Sequence, residues 1–282
     1  MLAPTGDLVA AARKERGAVG AFNVITIEHA EAIVAGAEAA GLPVILQISQ
    51  NAVRFHHGRL APIAAAARSI AEAADVPVGL HLDHVESDEL LAEAAPNGFG
   101  SVMYDASRLP YAENVAATAA AVARCRAAGL WVESELGEIG GKGGAHAFGA
   151  RTDPGEAAAF VAATGVDALA VAVGSSHAMT TRSARLDHDL IARLAAAVPV
   201  PLVLHGSSGV PDDELSEAVR GGMAKINIGT ALNTAFTGTV RSALGNQPDL
   251  VDPRRYLASA RSAMADTVTA ALRVLTSGVI PA

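Results

Sequence analysis

Residues 60–84, LAPIAAAARSIAEAADVPVGLHLDH, set an Ala-rich amphipathic run (60–74) before a short apolar run (77–83) that ends in a cluster of His and Asp. The first half has the spacing of a helix packed on one face, and the second has the length and composition of a buried strand. A helix feeding a strand that carries reactive side chains at its end is the unit from which parallel α/β sheets are built.

Outward from this stretch the unit recurs. Strands are predicted at Ala18–Val24, Pro43–Ser49, Pro77–Asp83, Gly100–Asp105, Leu130–Leu136, Ala168–Gly174, Pro201–His205 and Ala224–Ile228. Helices are predicted at Ile27–Ala40, Leu60–Ala74, Tyr111–Ala128, Pro154–Thr164, Leu190–Ala197 and Asp212–Arg220, several opening with Pro or an acidic residue suited to a first turn. Eight such units predict an α/β fold of the (β/α)8 TIM-barrel type, with an open doubly wound sheet as the alternative. A single domain is expected over residues 1–282, with the barrel at 18–245 and a C-terminal helical extension at 252–278 beyond what the barrel needs. Such an appendage often serves assembly. The segment Gly137–Asp153, GEIGGKGGAHAFGARTD, is glycine-rich and reads as a lid.

Composition excludes several classes. A formal net charge of -8 and a pI near 5.6 provide no basic field for nucleic acid or an anionic membrane, so any phosphate must be captured locally. Cys125 is the sole cysteine, which rules out an internal disulfide and predicts an unreactive thiol within a helix, in a reducing compartment. The N-terminus has no apolar signal core, and no run of about 18 apolar residues is free of charge. The mean hydropathy of +0.31 is assigned to buried Ala and Val. A cytoplasmic protein follows as the expectation.

His84, His177 and His205 fall at or just beyond the C-terminal ends of the third, sixth and seventh predicted strands, the rim where barrel active sites are built. Three neutral imidazoles converging there, with a fourth position open, make a catalytic zinc site. His29, His56, His57 and His188 read as solvated surface, and His81 lies within a strand. Asp83 stands beside His84, although strand alternation sends adjacent residues to opposite faces unless the strand is ending. It is a candidate general acid and base, or a carboxylate that orients a histidine ring. HGSSG (205–209) and NIGT (227–230) follow strands seven and eight, where this barrel binds phosphate, though each alone reads as an ordinary turn or cap. Asp105 and Glu135 end strands four and five and could hold a second metal, orient ligands, or serve as ion pairs or caps. Asn23 and Ser49 are candidates to hydrogen-bond a substrate. Lys225, the only lysine in a predicted strand, raises a Schiff-base mechanism.

Across almost its whole length the chain resembles the class II fructose-bisphosphate and tagatose-bisphosphate aldolases. The resemblance rests on GAFNV (20–24), PVILQIS (43–49), LHLDHVES (80–87), SVMYDAS (101–107), LPYAENV (109–115), VESELGEIGG (132–141), TDPGEAAAFVAATGVDALAVAVGSSH (152–177), VPLVLHGSSGVP (200–211), KINIGT (225–230) and DPRRYL (252–257). It implies zinc ligands at His84, His177 and His205, and Asp83 as proton donor and acceptor on the C4 hydroxyl. It assigns Gly206, Ser207, Ser208, Asn227, Ile228, Gly229 and Thr230 to dihydroxyacetone-phosphate loops, and Arg254 to the far phosphate, of a neighbouring subunit in a homo-oligomer (dimer or tetramer). A metal that polarises the ketone and stabilises the enediolate makes a Schiff base unnecessary.

Two positions depart from the family pattern. Ala178 replaces a glycine, which bears on packing near the phosphate or a monovalent cation. The loop after ELG-x-x-GG lacks an acidic run, leaving Glu138 or His146 to exchange the donor's proton. The expected reaction is reversible retro-aldol cleavage of a ketose 1,6-bisphosphate, fructose- or tagatose-type. The alternatives are another phosphorylated keto sugar, a noncatalytic sugar-phosphate binder, and a Schiff-base lyase using Lys225.

Overall fold

A computed structural model describes residues 1–136 and 151–276. Eight parallel strands close on themselves in sequence order: β1 (Val19–Asn23), β2 (Val44–Ser49), β3 (Val78–Val85), β4 (Ser101–Tyr104), β5 (Trp131–Glu135), β6 (Ala168–Ala170), β7 (Leu202–Leu204) and β8 (Met223–Ile228). Closure runs through β1 and β8, which pair Val19 with Lys225 and Ala21 with Asn227. Every predicted strand is present, and the barrel displaces the open-sheet alternative.

The helices are α1 (Thr5–Lys14), α2 (Ile27–Ala40), α3 (Gln50–Phe55), α4 (Leu60–Ala73), α5 (Asp88–Glu93), α6 (Tyr111–Ala127), α7 (Pro154–Thr164), α8 (His188–Ala197), α9 (Asp212–Arg220), α10 (Thr230–Asn246) and α11 (Pro253–Thr276). None in the described residues is long and apolar enough to cross a membrane. Alternation divides each strand between two environments. On β3, Leu80 and Leu82 join the apolar core shared with the helices, so His81 and Asp83 fall on the opposite, inner face. Leu8 and Val9 of α1 pack against Val19, Ala21, Ile45 and Ala224 near the starts of β1, β2 and β8, which stoppers the barrel opposite the rim where the strands end.

The C-terminal segment differs from its expected role. Of the 17 residues of α10 only Leu232 is buried, so this helix cannot cover the barrel wall. α11 does so instead, packing on α2, α9 and β1 with Ala260, Met264, Val268, Leu272 and Leu275 buried. Gly36 permits the close approach, since a Cβ there would stand 2.6 Å from the Ala265 carbonyl oxygen. The extension is therefore part of the barrel's helical layer.

The histidines read as solvated also need revision. His29 is 3% exposed, stacks on Phe236 and closes a capping box with Thr26 at the start of α2. His56 Nε2 meets the Ile25 carbonyl oxygen at 2.7 Å, and His188 Nε2 meets Glu214 at 2.9 Å; of these four only His57 is exposed. Cys125 is buried in α6, and burial pushes its thiol up to about 11, in keeping with an inert residue.

Candidate metal centre

His84 on β3, His177 in the segment after β6 and His205 just after β7 meet at one rim of the barrel. Their ring centroids lie 5.5 Å (84–177), 5.0 Å (84–205) and 5.7 Å (177–205) apart, each pair edge to face. One ligand atom from each lies within 4.8 Å of the other two, so the three could hold a single ion.

A bulge brings Asp83 and His84 to the same mouth. β3 advances three residues from Leu82 to Val85 while β4 advances two, from Val102 to Tyr104. The extra residue is absorbed at His84, whose φ of 51° is left-handed. Alternation is thus broken inside the strand rather than by its ending. Asp83 is 2% exposed, with Oδ2 3.9 Å from His84 Nε2.

Carboxylates behind two of the rings decide which nitrogen His84 and His205 present. Asp105 Oδ2 lies 2.8 Å from His84 Nδ1, and Asp105 Oδ1 accepts from the Ser107 amide and hydroxyl at 3.2 and 2.6 Å. Glu133 Oε1 lies 2.9 Å from His205 Nε2, and Glu135 Oε2 lies 3.4 Å from His205 Nδ1. An ionised carboxylate only accepts, so the nitrogen at hydrogen-bond distance carries the proton. That leaves Nε2 of His84 and Nδ1 of His205 for a cation. Asp105 thus lies beside the His84 ring, and Glu135 lies beside the same ring as Glu133.

The electrostatics follow the same arrangement. Burial works against a charged His205, yet Glu133, bonded at Nε2, and the Glu135 carboxylate near Nδ1 push it up to about 9, so a proton and a cation compete for Nδ1. For Asp83, burial raises the carboxyl, but His84, His205, His81 and Lys225 outweigh it and hold it below its ordinary value. Burial, with Lys225 nearby, pushes His81 down to about 3, so this ring is neutral. Glu133 is held far below the usual carboxylate range: burial opposes this, and Lys225 and His205 overcome it.

The two glycine-containing loops adjoin this rim. Gly206 adopts φ 67°, and a Cβ there would stand 2.5 Å from the Ser176 carbonyl, so glycine lets the loop after β7 lie on the backbone that leads into His177. Ser208 Oγ accepts from the Ala231 amide at 3.0 Å and ties that loop to the first turn of α10, which begins at Thr230. Gly229 lies against Asn23, whose Oδ1 accepts from Gln47 Nε2 at 2.8 Å. Asn227 and Ile228 end β8, with Asn227 Oδ1 facing Lys225 Nζ at 2.7 Å. Ala178 occupies φ 59°, a left-handed conformation that glycine adopts without strain.

Other candidates are occupied differently. The Ser49 side chain caps α3 by accepting from the Ala52 amide. Ser207 is 2% exposed and donates back to the Leu204 carbonyl. Within this chain the exposed Arg254 guanidinium is bonded to Asp252, whereas the phosphate expected for it belongs to a neighbouring subunit. Lys225 is fully buried and paired with Glu133 at 2.8 Å, which removes it as an imine-forming nucleophile, since that role needs an amine the substrate can reach. Glu138, His146 and most of the expected lid lie outside the described residues. Glu133 and Gln47 went unread as site residues; Glu133 was detectable from its place two residues before Glu135 on a buried strand, hence on the same inner face.

Known proteins similar to this chain in sequence and structure are aldolases. A Thermus caldophilus fructose-bisphosphate aldolase is 37% identical, over 98% of this chain and 99% of its own. A Staphylococcus epidermidis fructose-bisphosphate aldolase is 38% identical, over 92% of each. The crystal structure of the YdjI aldolase from Escherichia coli K12 superposes with a TM-score of 0.85 at 34% identity, covering 98% of this chain and 97% of that one. With residues 3–278 matched by the family profile of fructose-bisphosphate aldolase class-II, the chain belongs to that family of metal-dependent aldehyde-lyases.

Proposed function

We propose that this chain reversibly cleaves the C3–C4 bond of a ketose 1,6-bisphosphate to dihydroxyacetone phosphate and an aldehyde, with zinc held by His84, His177 and His205. The observation that carries the reading is the meeting of three imidazoles, one ligand atom of each within 4.8 Å of the others, beside the buried Asp83. The donor set fits the ion: nitrogen ligands, with carboxylates behind two of the three rings, are the surroundings of a catalytic zinc. A bound zinc ion supplies Lewis-acid chemistry, stabilising negative charge on the donor's carbonyl oxygen.

The chain's own residues do the rest. Asp83 is ionised at neutral pH, because its neighbours hold the carboxyl low. It takes the proton from the C4 hydroxyl as the C3–C4 electron pair moves toward the C2 carbonyl. In the condensation direction it returns that proton to the aldehyde oxygen. Gly206, Ser208, Gly229 and the first turn of α10 offer a close-approach cradle for the phosphate of dihydroxyacetone phosphate. Such local capture suits a chain with a net charge of -8.

The test is a panel of phosphorylated ketoses, including fructose and tagatose 1,6-bisphosphates, assayed on zinc-loaded and chelated protein. Activity should vanish with chelation and return with zinc; full turnover by metal-free protein refutes the reading.

A further inference from the structure

The proposed reaction leaves Lys225 without a role. Its side chain is wholly buried on β8, with Nζ 2.8 Å from Glu133 Oε2 and 2.7 Å from Asn227 Oδ1. A buried ion pair is a weak source of stability, since well-packed apolar residues often replace one without loss. What apolar residues cannot do is aim their neighbours.

Both partners of Lys225 are so aimed. Glu133 uses one oxygen on Lys225 and the other on His205 Nε2, at 2.9 Å. The ammonium therefore holds the carboxylate that fixes which His205 nitrogen is presented at the rim. An ammonium has only donors, so the Asn227 amide must turn its oxygen toward Lys225, and its NH2 is left for another acceptor. Two inward residues of β8, Lys225 and Asn227, are thereby joined through Glu133 on β5 to His205 after β7.

We infer that Lys225 is a positioning residue that sets His205, through Glu133, for the metal and locks the Asn227 amide for the phosphorylated substrate. The inference rests on the zinc and sugar-phosphate reading above.

Lys225→Met and the double variant Lys225→Met with Glu133→Gln separate this role from a structural one. Zinc affinity is read by competition with a chromophoric chelator, KM and kcat on fructose 1,6-bisphosphate, and folding by thermal melting. In Lys225→Met, zinc binding should weaken by about tenfold or more, the range expected for loss of an outer-shell partner. KM should rise as the Asn227 amide is released. The double variant leaves no unpaired buried charge and should melt close to the parent, yet keep the zinc and KM defects. Folded Lys225→Met with zinc affinity and KM both within twofold of the parent overturns the inference. If that variant does not fold, the double variant is judged by the same two readouts. Parent protein that takes up no zinc sinks the metal centre and this inference together, whereas zinc-binding parent with an indifferent variant sinks this inference alone.

Discussion

His84 Nδ1 and Asp105 Oδ2 lie 2.8 Å apart, a contact that reaches from the bulge in β3 to the residue just after β4. Asp105 is itself held by the Ser107 amide and hydroxyl. The carboxylate therefore has one orientation and imposes one tautomer on His84. Asp105→Ala should weaken zinc binding about 10- to 100-fold by chelator competition. The change also strips the Ser107 amide and hydroxyl of their acceptor and lowers the melting temperature of the metal-free protein, so zinc affinity is read on protein shown to be folded. Unaltered zinc affinity would show that the ring is oriented by something else.

Ala178 offers a test in the opposite direction. At φ 59° an alanine methyl crowds the backbone, a cost of about 1–2 kcal/mol that glycine escapes. Glycine also gives the unfolded chain more freedom, which takes back about 0.4–1 kcal/mol. Ala178→Gly should raise the melting temperature by roughly 1–3 °C for a chain of this size. A drop would mean that the methyl makes contacts worth more than the strain.

How much of this was legible depended on whether the controlling interaction was local. All eight strands could be read because strands buried on both faces are continuous apolar runs, and Leu80 and Leu82 announce β3 whatever surrounds them. α3 and α5 are six residues each, too short to show a helical period, and α10 buries only Leu232, so it has no apolar stripe to find. α1 escaped for a related reason: its buried face comprises Thr5, Leu8 and Val9. At the site, His84, His177 and His205 were readable as residues at or just beyond predicted strand ends. The bulge that turns His84 inward was not, because register is settled between β3 and β4. The pairing of Lys225 with Glu133 likewise joins residues 92 positions apart, and the lysine alone suggested imine chemistry.

Gly206→Ala probes the packing of one site loop on another. The added Cβ would stand 2.5 Å from the Ser176 carbonyl carbon and oxygen and 3.0 Å from the His177 amide nitrogen, all backbone atoms that cannot swing aside. Forcing in a methyl of this kind costs about 1–3 kcal/mol, and the left-handed φ adds to it. The residue displaced is the one that leads into His177. Zinc affinity and thermal stability should both fall; loss of stability with zinc binding intact would mean that His177 is placed independently of this contact.

Glu214 on α9 anchors the far end of the segment that carries His177. Its Oε1 accepts from Arg185 Nη1 at 2.8 Å, and its Oε2 lies 2.9 Å from both the Leu186 amide nitrogen and His188 Nε2. The Leu186 amide, the Arg185 guanidinium and His188 overcome partial burial and hold this carboxyl down at about 2, from an ordinary 4.5. A group whose folded-state value is depressed stabilises the fold above its unfolded value and loses that contribution as pH falls toward the folded one. The clasp should therefore be fully present above pH 4.5, weaken below it, and be gone near pH 2. Glu214→Gln keeps the shape but presents an NH2 group to donors already in place. Thermal melts of parent and Glu214→Gln, taken from pH 2 to pH 6, should differ most at the upper end and converge as the acid limit is approached. A gap that stays constant across that range would show that the charge of Glu214 contributes nothing and that its bonds serve only as packing.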